Sequence, residues 1–405
     1  MTRTLGIGLL LLFAVTPALA QNDSAAAVPR VRAERDTVPV QQSIYTRPFI
    51  VSAGKTSLGG YVEGNAGYMV QDGVSEGLTL ELRRFNIFLY SAIGSRIRFI
   101  SELEFEDGTE EINLETALVD FEITPSLVLR GGILLPPIGA FNVNHDGPRW
   151  DFIDRPLVST EIIPSTLSEA GFGVYGRLQP GGTTVTYDLY LSSGLGEGVV
   201  NNDQGRTHLP SGKGPNLVNG EDNGAPALSG RLAVRPGGSS EVGVSAYHAA
   251  YNDYRVEGEV VAPKLYVTLL ALDGMTTLGP VELRGEAALA RVDVPDDLQE
   301  LFGERQWGFH LDAIVPVWRP KWRGLPDAVM DVGVRLEYID YNSGEFSSTG
   351  QSIGDDRGAV VAAVAFRPAA GTVFKFNYRR EVSHDLPNNE GVQLGGFQFG
   401  FATYF

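Results

Sequence analysis

The sequence predicts an all-β protein, a transmembrane antiparallel β-barrel of about 16 strands. Three observations lead to this prediction. Strand-like segments alternate between apolar and charged side chains, their connections alternate between short and long, and the sequence closes with the aromatic stripe GGFQFGFATYF. Membrane barrels alternate lipid-facing and lumen-facing residues in this way. A soluble sandwich also buries one apolar face, so the alternation alone leaves both architectures open.

The composition and the opening residues indicate an exported protein. Arg3, an apolar run from Leu5 to Val15, and the small residues Ala18 and Ala20 are typical of a signal peptide cleaved after Ala20. No other run is long and apolar enough for a membrane helix. The chain contains no cysteine, which excludes disulfide frameworks and thiolate chemistry. A net charge of −17 argues against a nucleic-acid partner.

We divide the chain into three predicted parts. Residues 1–20 form the signal peptide, residues 21–56 an irregular periplasmic N-terminal leader, and residues 57–405 the outer-membrane β-barrel. The predicted strands of the barrel cover residues 57–70, 78–90, 95–106, 112–123, 126–135, 169–179, 182–194, 227–236, 240–250, 259–271, 281–292, 305–317, 328–341, 357–367, 371–382 and 393–405.

Several of these segments separate a charged face from an apolar one. The segment AVMDVGVRLEYID places Val332 and Leu336 opposite Arg335, and GTVFKFNYRREV places Phe374 opposite Lys375. Successive side chains of a strand point to opposite faces, so a period of two sorts them. In a barrel, the charged face would line the lumen and the apolar face would contact lipid.

The connections sort by length. One set is brief and comprises IGS, TPS, QPGG, RPGGS and RPAAG, with VWRPKWRGLPD as its longest clear member. The other set includes residues 136–168, 195–226, 293–304, 342–356 and 383–392. Outer-membrane barrels have short periplasmic turns and longer external loops. A sandwich gives no reason for such sorting, so the connections favour the barrel.

The aromatic stripe of the closing strand is predicted to face lipid. Phe397, Phe399, Phe401 and Phe405 occupy odd positions and therefore share one face. Tyr404 and Phe405 are expected in an aromatic girdle at the membrane boundary. A terminal aromatic residue on an alternating strand resembles the signal that the barrel assembly machinery reads. We therefore assign Phe399, Phe401 and Phe405 to an assembly signal.

Three stretches resemble the phosphate-selective porin O/P family. They are ELRRFNIFLYSAIGSRIRFISELEFED, LETALVDFEITPSLVLRGGILLPPIG and FIDRPLVSTEIIPSTLSEAGFGVYG. The resemblance implies an outer-membrane porin that passes small hydrophilic solutes by diffusion and favours anions such as phosphate. It also implies a homotrimer in outer-membrane lipid, without a cofactor. The sequence departs from the family at Leu135, where relatives often carry Lys.

The long connection 136–168 would be the third external loop, which sixteen-stranded porins fold into the pore as a constriction. Its candidates for solute contact are Arg149, Arg155, His145, Asp146, Asp151, Asp154 and Glu161. The candidates on the lumen wall are Arg84, Arg96, Arg98, Arg130, Glu102 and Glu104. These arginines form either a basic strip for solutes or salt bridges across neighbouring strands. The spacing leaves both readings open.

Neither catalysis nor metal binding is predicted. His145 with Asp146 and Asp151 shows no diagnostic metal-ligand spacing, and no metal or other cofactor is expected. No G-x-S-x-G or H-E-x-x-H motif occurs, although His310 and Asp312 share the presumed lumen face. Two alternatives remain. A barrel-embedded hydrolase requires a nucleophile and a catalytic His grouped on the wall, and a secreted β-rich binding protein requires solubility without detergent.

Overall fold

The computed structural model describes residues 38–48, 51–214, 218 and 223–405. The predicted signal peptide lies outside the described residues. Residues of the described part form a closed, antiparallel 16-strand β-barrel, as predicted. No helix in these ranges has the length and hydropathy needed to cross a bilayer. The short helical elements are the 3-10 helices Val40–Thr46, Asp107–Thr109, Gly147–Arg149, Pro180–Gly182, Glu197–Val199 and Leu209–Gly212, and the π-helical turn Val158–Ile162.

The barrel strands follow one another along the chain and pair with their neighbours. They are β1 Thr56–Gln71, β2 Leu78–Ile93, β3 Ile97–Glu106, β4 Glu111–Thr124, β5 Leu127–Leu134, β6 Glu169–Leu178, β7 Thr184–Ser192, β8 Ala227–Gly237, β9 Ser240–Ala250, β10 Tyr266–Leu278, β11 Val281–Val292, β12 Arg305–Trp318, β13 Val329–Asp340, β14 Asp356–Ala369, β15 Thr372–Ser383 and β16 Val392–Tyr404. Every predicted strand overlaps one of these.

One predicted strand is displaced. The prediction of a strand over residues 259–271 is wrong in its first half, because β10 begins only at Tyr266. The alternating residues before it belong to a small separate hairpin, in which Arg255–Val256 pairs with Glu259–Val260. A period of two identifies a strand but does not identify its partner.

The barrel closes between its first and last strands. β16 pairs antiparallel with β1, from Leu394 opposite Gln71 to Tyr404 opposite Tyr61. The backbone N–H of Phe405 donates to the carbonyl of Gly60 at 2.9 Å, and the N–H of Gly60 donates back at 3.0 Å. Closure removes the free strand edges that a membrane interior could not solvate.

The side chains are distributed in the reverse of a soluble core. On β13, Val334 and Leu336 are exposed, whereas Arg335 between them is 1 % exposed. On β16, Phe399 is 51 % exposed, whereas Ala402 is fully buried. An apolar outer face is favourable against lipid and unfavourable against water. This distribution confirms the membrane barrel and excludes the soluble sandwich architecture.

The connections differ in length between the two ends of the barrel, as predicted. At one end they are residues 94–96, 125–126, 179–183, 238–239, 279–280, 319–328 and 370–371. At the other end they are residues 72–77, 107–110, 135–168, 193–226, 251–265, 293–304, 341–355 and 384–391. By the rule for outer-membrane barrels, the end with the short turns is periplasmic.

Residues 135–168, which we call the constriction loop, fold into the lumen as predicted. The turn Val158–Ile162, together with Ile138 and Leu167, packs against small inward-facing residues of the wall such as Ala271 and Ala288. Small wall residues leave room for the loop, and burial of its apolar side chains stabilises this position.

Residues 38–48, which we call the N-terminal segment, also lie inside the barrel, near its periplasmic end. The N–H of Val40 donates to Glu241 at 3.2 Å, and the amide of Gln41 donates to Asp188 at 2.8 Å. Both acids belong to the lumen wall. The sequence predicted an irregular periplasmic leader over residues 21–56; within it, Val40–Thr46 form a 3-10 helix. Their contacts are distant in sequence and leave no periodic pattern.

Candidate pore constriction

Carboxylates of the wall fix the backbone of the constriction loop. The N–H of Ala140 donates to Glu286 at 2.7 Å, and the N–H of Leu157 donates to Glu337 at 3.0 Å. The hydroxyl of Ser159 donates to the second oxygen of Glu286 at 2.6 Å. Such charge-assisted hydrogen bonds are stronger than neutral ones. The loop therefore crosses the lumen at a fixed height.

Two predicted loop acids pair with residues of the wall. Asp151 accepts hydrogen bonds from Arg367 at 2.7 and 3.1 Å. Asp154 accepts one from Gln398 at 2.8 Å and lies 3.2 Å from Arg83. The structure brings both acids into the lumen, but each is compensated there by a basic residue.

Asp146 joins the loop to the N-terminal segment. It accepts two hydrogen bonds from Arg47, at 2.7 and 3.0 Å, and one from the Tyr404 hydroxyl at 2.7 Å. Burial raises the pKa of Asp146, but the charges of Arg47 and Arg149, together with the hydrogen bonds from Arg47, outweigh burial and hold this pKa well below its usual value. The predicted place of Tyr404 in a lipid-facing girdle is wrong, because the strand alternation turns it toward the lumen.

Glu161 lies at the other end of the loop. It accepts a hydrogen bond from Tyr341 at 2.8 Å, and it lies 3.3 Å from His208 and 3.5 Å from Arg357. Burial raises the pKa of Glu161, but the hydrogen bond to His208 and the charge of Arg357 leave it below its usual value. This acid is therefore a structural link between the loop and the outer rim.

The two predicted loop arginines differ in their surroundings. Arg149 donates to Tyr404 at 3.0 Å, to Asn144 at 2.9 Å and to the carbonyl of Ser43 at 2.8 Å. Arg155 lies over the ring of Phe141, 5.9 Å from its centroid, and its Nη2 is buried without a hydrogen-bond acceptor. Within the described ranges, Arg155 has no carboxylate within 4 Å. Arg155 therefore lacks the direct ion pair that Arg149 makes, although its charge acts over a longer distance on Glu63, Glu104 and Glu115.

The predicted wall arginines form cross-strand salt bridges. Arg84 lies 2.5 Å from Glu106, 3.4 Å from Glu63 and 3.5 Å from Glu104. The bridges connect β1, β2 and β3 on the lumen side. Arg84 and Glu104 thus keep this wall polar and ordered, in agreement with the pairing alternative.

A second group of wall arginines surrounds Asp120. Arg130 donates to Asp120 at 2.8 and 3.0 Å and lies 4.4 Å from the ring centroid of Tyr175. Arg98 lies 3.2 Å from Glu122. The prediction that Arg96 lies on the lumen wall is wrong. This residue is exposed in the turn before β3, because this strand begins at Ile97.

Glu102 and His145 meet in the interior of the barrel. Glu102 accepts a hydrogen bond from Asn86 at 2.6 Å and lies 2.8 Å from Arg47. His145 Nε2 lies 3.1 Å from Glu115 on β4. The structure does not bring His145, Asp146 and Asp151 together as a metal-ligand group, whereas Glu102, Glu115 and His145 do form a group of that size.

The sequence analysis did not identify Arg47, Arg367 and Glu286, whose side chains hold the N-terminal segment and the constriction loop inside the lumen. Arg335, which donates to Asp312 at 2.7 and 2.8 Å, lay on a predicted charged face, but its partner was not identified. The alternation of β13 was the available signal for Arg335. Arg47 had no such signal, since it precedes the first strand.

One Ser–His–Glu grouping lies among the external loops. His208 Nδ1 lies 2.7 Å from the hydroxyl of Ser211, and its Nε2 faces Glu161. Ser211 follows His208 by three residues in the 3-10 helix Leu209–Gly212, and Glu161 is shared with Tyr341 and Arg357. The contact is thus a local turn interaction, and the wall histidine His310 takes no part in it.

A cavity of about 70 Å³ separates the N-terminal segment from the wall formed by β9 to β12. Its charged lining includes Glu241, Glu286, Arg149 and Arg284, with His310 beside them. Acids and bases face each other across this space. Such opposed charges set a transverse field in a narrow polar passage.

The fold has many counterparts among solved outer-membrane proteins. An anion-selective porin from Comamonas acidovorans has a TM-score of 0.52 and 13% identity, with 86% of this chain and 99% of that chain covered. OprB of Pseudomonas putida has a TM-score of 0.52 and 10% identity, with 86% and 93% covered. OmpT of Vibrio cholerae in its trimer form has a TM-score of 0.52 and 11% identity, with 87% and 100% covered.

The fold is that of the outer-membrane porins. This fold and the apolar outer face place the chain in the bacterial outer membrane. No family model matches the sequence. A curated relative, an uncharacterized protein of Aquifex aeolicus (strain VF5), is 32% identical over 146 residues, which are 34% of this chain and 32% of the relative. The match therefore spans about a third of that relative's length.

Proposed function

We propose that the protein is a porin that passes small hydrophilic solutes by diffusion, with a modest preference for anions such as phosphate. One observation carries this proposal. The charged faces of the strands line the interior of a closed barrel, and a long loop narrows that interior at a fixed height. A polar lumen with a fixed constriction selects solutes by size and charge. This function requires no catalysis and no energy source.

The anion preference rests on Arg155. The guanidinium groups of Arg149, Arg367 and Arg335 are engaged by carboxylates or backbone carbonyls. Arg155 instead has a buried Nη2 without an acceptor and lies over Phe141. Arg155 as a whole is half-buried, and a partly exposed cation without a direct ion pair attracts an anionic solute in transit. The resemblance to the phosphate-selective porin O/P family supports the same direction.

Single-channel recording in a salt gradient tests the selectivity. Replacing Arg155 by Gln should shift the reversal potential toward cations, because it removes a positive charge that has no direct ion pair. Replacing Arg149 by Gln is the matched control and should shift the reversal potential less, since Asp146 lies 3.5 Å from that guanidinium. A folded Arg155→Gln barrel with an unchanged reversal potential would remove the main support for anion preference.

The proposal includes assembly as a homotrimer in outer-membrane lipid, inserted by the barrel assembly machinery. The trimer form of the similarly folded Vibrio cholerae OmpT supports this assembly. Unheated gel electrophoresis and native mass measurement of the detergent-extracted protein test it. A folded species with the mass of one chain would contradict the trimer.

The alternative of a barrel-embedded hydrolase rests on Ser211, His208 and Glu161. It predicts ester hydrolysis that is lost in Ser211→Ala. The porin proposal predicts equal, background hydrolysis by the wild-type protein and this variant, with unchanged conductance. Activity lost in Ser211→Ala would favour the enzyme.

A further inference from the structure

The hydrogen bonds of His145 determine which of its ring nitrogens carries a proton. His145 Nδ1 lies 3.0 Å from the carbonyl oxygen of Asn142. The side chain of Asn142 is itself fixed, because it donates to Pro136 at 2.7 Å and accepts from Leu167 at 2.9 Å. A carbonyl oxygen only accepts, so Nδ1 must carry the hydrogen. In a neutral ring, Nε2 then presents a lone pair.

The lone pair of Nε2 faces a second acceptor. Glu115 Oε1 lies 3.1 Å from Nε2. Both oxygens of Glu115 and Nε2 of His145 are buried. Apart from the imidazole, the Thr166 hydroxyl is a side chain that interacts with the Glu115 carboxylate, and no carbonyl or amide of the described residues bonds to Nε2. Glu115 is 2 % exposed and His145 is 1 % exposed. Two such acceptors at this distance require a positive charge between them, either a proton or a metal ion.

Glu102 supplies a third oxygen to the same place. Ligand atoms of Glu102, Glu115 and His145 all lie within 4.8 Å of one another. The three residues belong to β3, β4 and the constriction loop, so different elements fix their positions. A metal bound at about 2.0–2.2 Å from each ligand separates the ligand atoms by roughly 3–3.5 Å in a tetrahedral site. The distance of 3.1 Å between His145 and Glu115 agrees with this geometry.

We propose that Glu102, Glu115 and His145 bind a divalent first-row metal ion, with Zn²⁺ as the probe. One imidazole and two carboxylates match the ligands that such ions take in proteins. The sequence had predicted no metal, because these residues are not spaced as a motif. Glu102 also lies 2.8 Å from Arg47, so the metal and the N-terminal segment compete for this carboxylate.

A second His–Glu contact provides an internal control. His208 lies 3.3 Å from Glu161, a separation close to that of His145 and Glu115. Its Nδ1, however, meets the hydroxyl of Ser211 at 2.7 Å. A hydroxyl can donate, so Nε2 of His208 is free to carry the hydrogen toward Glu161. This contact is satisfied without a further cation.

Isothermal titration of the untagged, folded full-length barrel, first treated with chelator, tests the site with Zn²⁺. One equivalent should bind. His145→Gln should abolish binding, and its amide can still donate to Glu115, which preserves the fold. His208→Gln should leave binding unchanged. Arg47→Gln should tighten binding, since it frees Glu102. X-ray absorption of the bound ion should show nitrogen and oxygen ligands only.

The heat-modifiable gel band establishes folding for each variant. A folded wild-type protein that binds no Zn²⁺, or one whose binding survives in His145→Gln, overturns the site. If the wild-type protein binds no Zn²⁺, a proton on His145 Nε2 lies between this atom and Glu115. Nitrogen chemical shifts of the ring would then identify the imidazolium. Channel conductance is measured separately, so failure of the metal site leaves the porin proposal intact.

Discussion

The N-terminal segment and the constriction loop both lie inside the barrel, but different interactions hold them there. The loop buries an apolar cluster that includes Ile162 and Leu167 and packs on the small residues of the wall. The N-terminal segment buries fewer apolar residues, Pro39, Val40 and Ile44, and depends on polar contacts such as those of Gln41 and Arg47. Apolar packing is lost at a free-energy cost when water enters, whereas polar contacts can be replaced by hydrogen bonds to water. The loop is therefore held more firmly than the segment.

The two elements also differ in how they are attached. The loop connects β5 to β6, which are neighbours in the sheet, so both of its ends are anchored. The N-terminal segment precedes β1, and within the described residues it does not connect two strands of the barrel. We infer that the loop is a permanent constriction and that the segment is the removable one. The following experiments test this difference.

Shortening the constriction loop is expected to have the largest effect. Removal of residues 140–162 should raise single-channel conductance several-fold, because it clears the narrowest part of the lumen. It should also lower thermal stability, since each buried Leu or Ile that is lost costs about 2–5 kcal/mol. Bilayer recordings and heat-modifiable gel bands measure both effects. An unchanged conductance in a folded variant would place the loop outside the solute path.

Deleting residues 38–47 should raise conductance by a smaller factor and should affect thermal stability less. The segment fills the periplasmic end of the lumen but contributes little apolar burial. A variant with a Gly–Ser stretch of equal length in place of these residues is the control. It separates the effect of their specific contacts from that of a polypeptide of the same length. A loss of stability as large as that of the loop variant would show that the segment is a permanent part of the core.

Weakening one anchor should unseat the segment without deleting it. Arg47→Gln removes one partner of buried ion pairs, a change that typically costs about 3–5 kcal/mol. The chain has no native cysteine, so Val40→Cys, which is buried when the segment is seated, reports on release. Thiol labelling should become at least about tenfold faster in the Arg47→Gln background. Arg380→Gln, an exposed substitution, should leave the labelling rate as it is.

Deleting Phe405 should have the smallest effect on the finished pore. This residue stacks on Phe85 at 5.4 Å and completes the pairing of β16 with β1. Its loss should lower the yield of folded protein in outer-membrane fractions, while conductance of the folded fraction stays unchanged. Equal yield and insertion rate would refute a role for Phe405 in assembly.

The sequence predicted the wall of the barrel better than its contents. Alternation identified the strands because one face of each strand meets lipid and the other meets water and charge. It placed Phe399 and Phe401 outward, where they are exposed. It also assigned Tyr404 to the opposite face from Phe405, a distinction that the predicted girdle ignored. The length of residues 136–168 was enough to predict a constriction.

The contents of the lumen could not be predicted in the same way. Whether Arg149 or Arg155 is compensated depends on Asn144, Tyr404 and the N-terminal segment, which are brought together only by the fold. Arg47 occurs in a stretch without periodicity, so its pairing with Asp146 has no local signal. Glu102, Glu115 and His145 are far apart in sequence and meet through a strand pair and a folded loop.

The N-terminal segment also constrains the order of events during biogenesis. It precedes β1 and lies in the space that the pairing of β1 with β16 encloses. The segment must therefore be captured while the ring is still open, or be threaded in through the periplasmic mouth afterwards. Early capture has an advantage, because Arg47 contacts both β3 and the constriction loop. The segment would then act as an internal template around which the remaining strands are added.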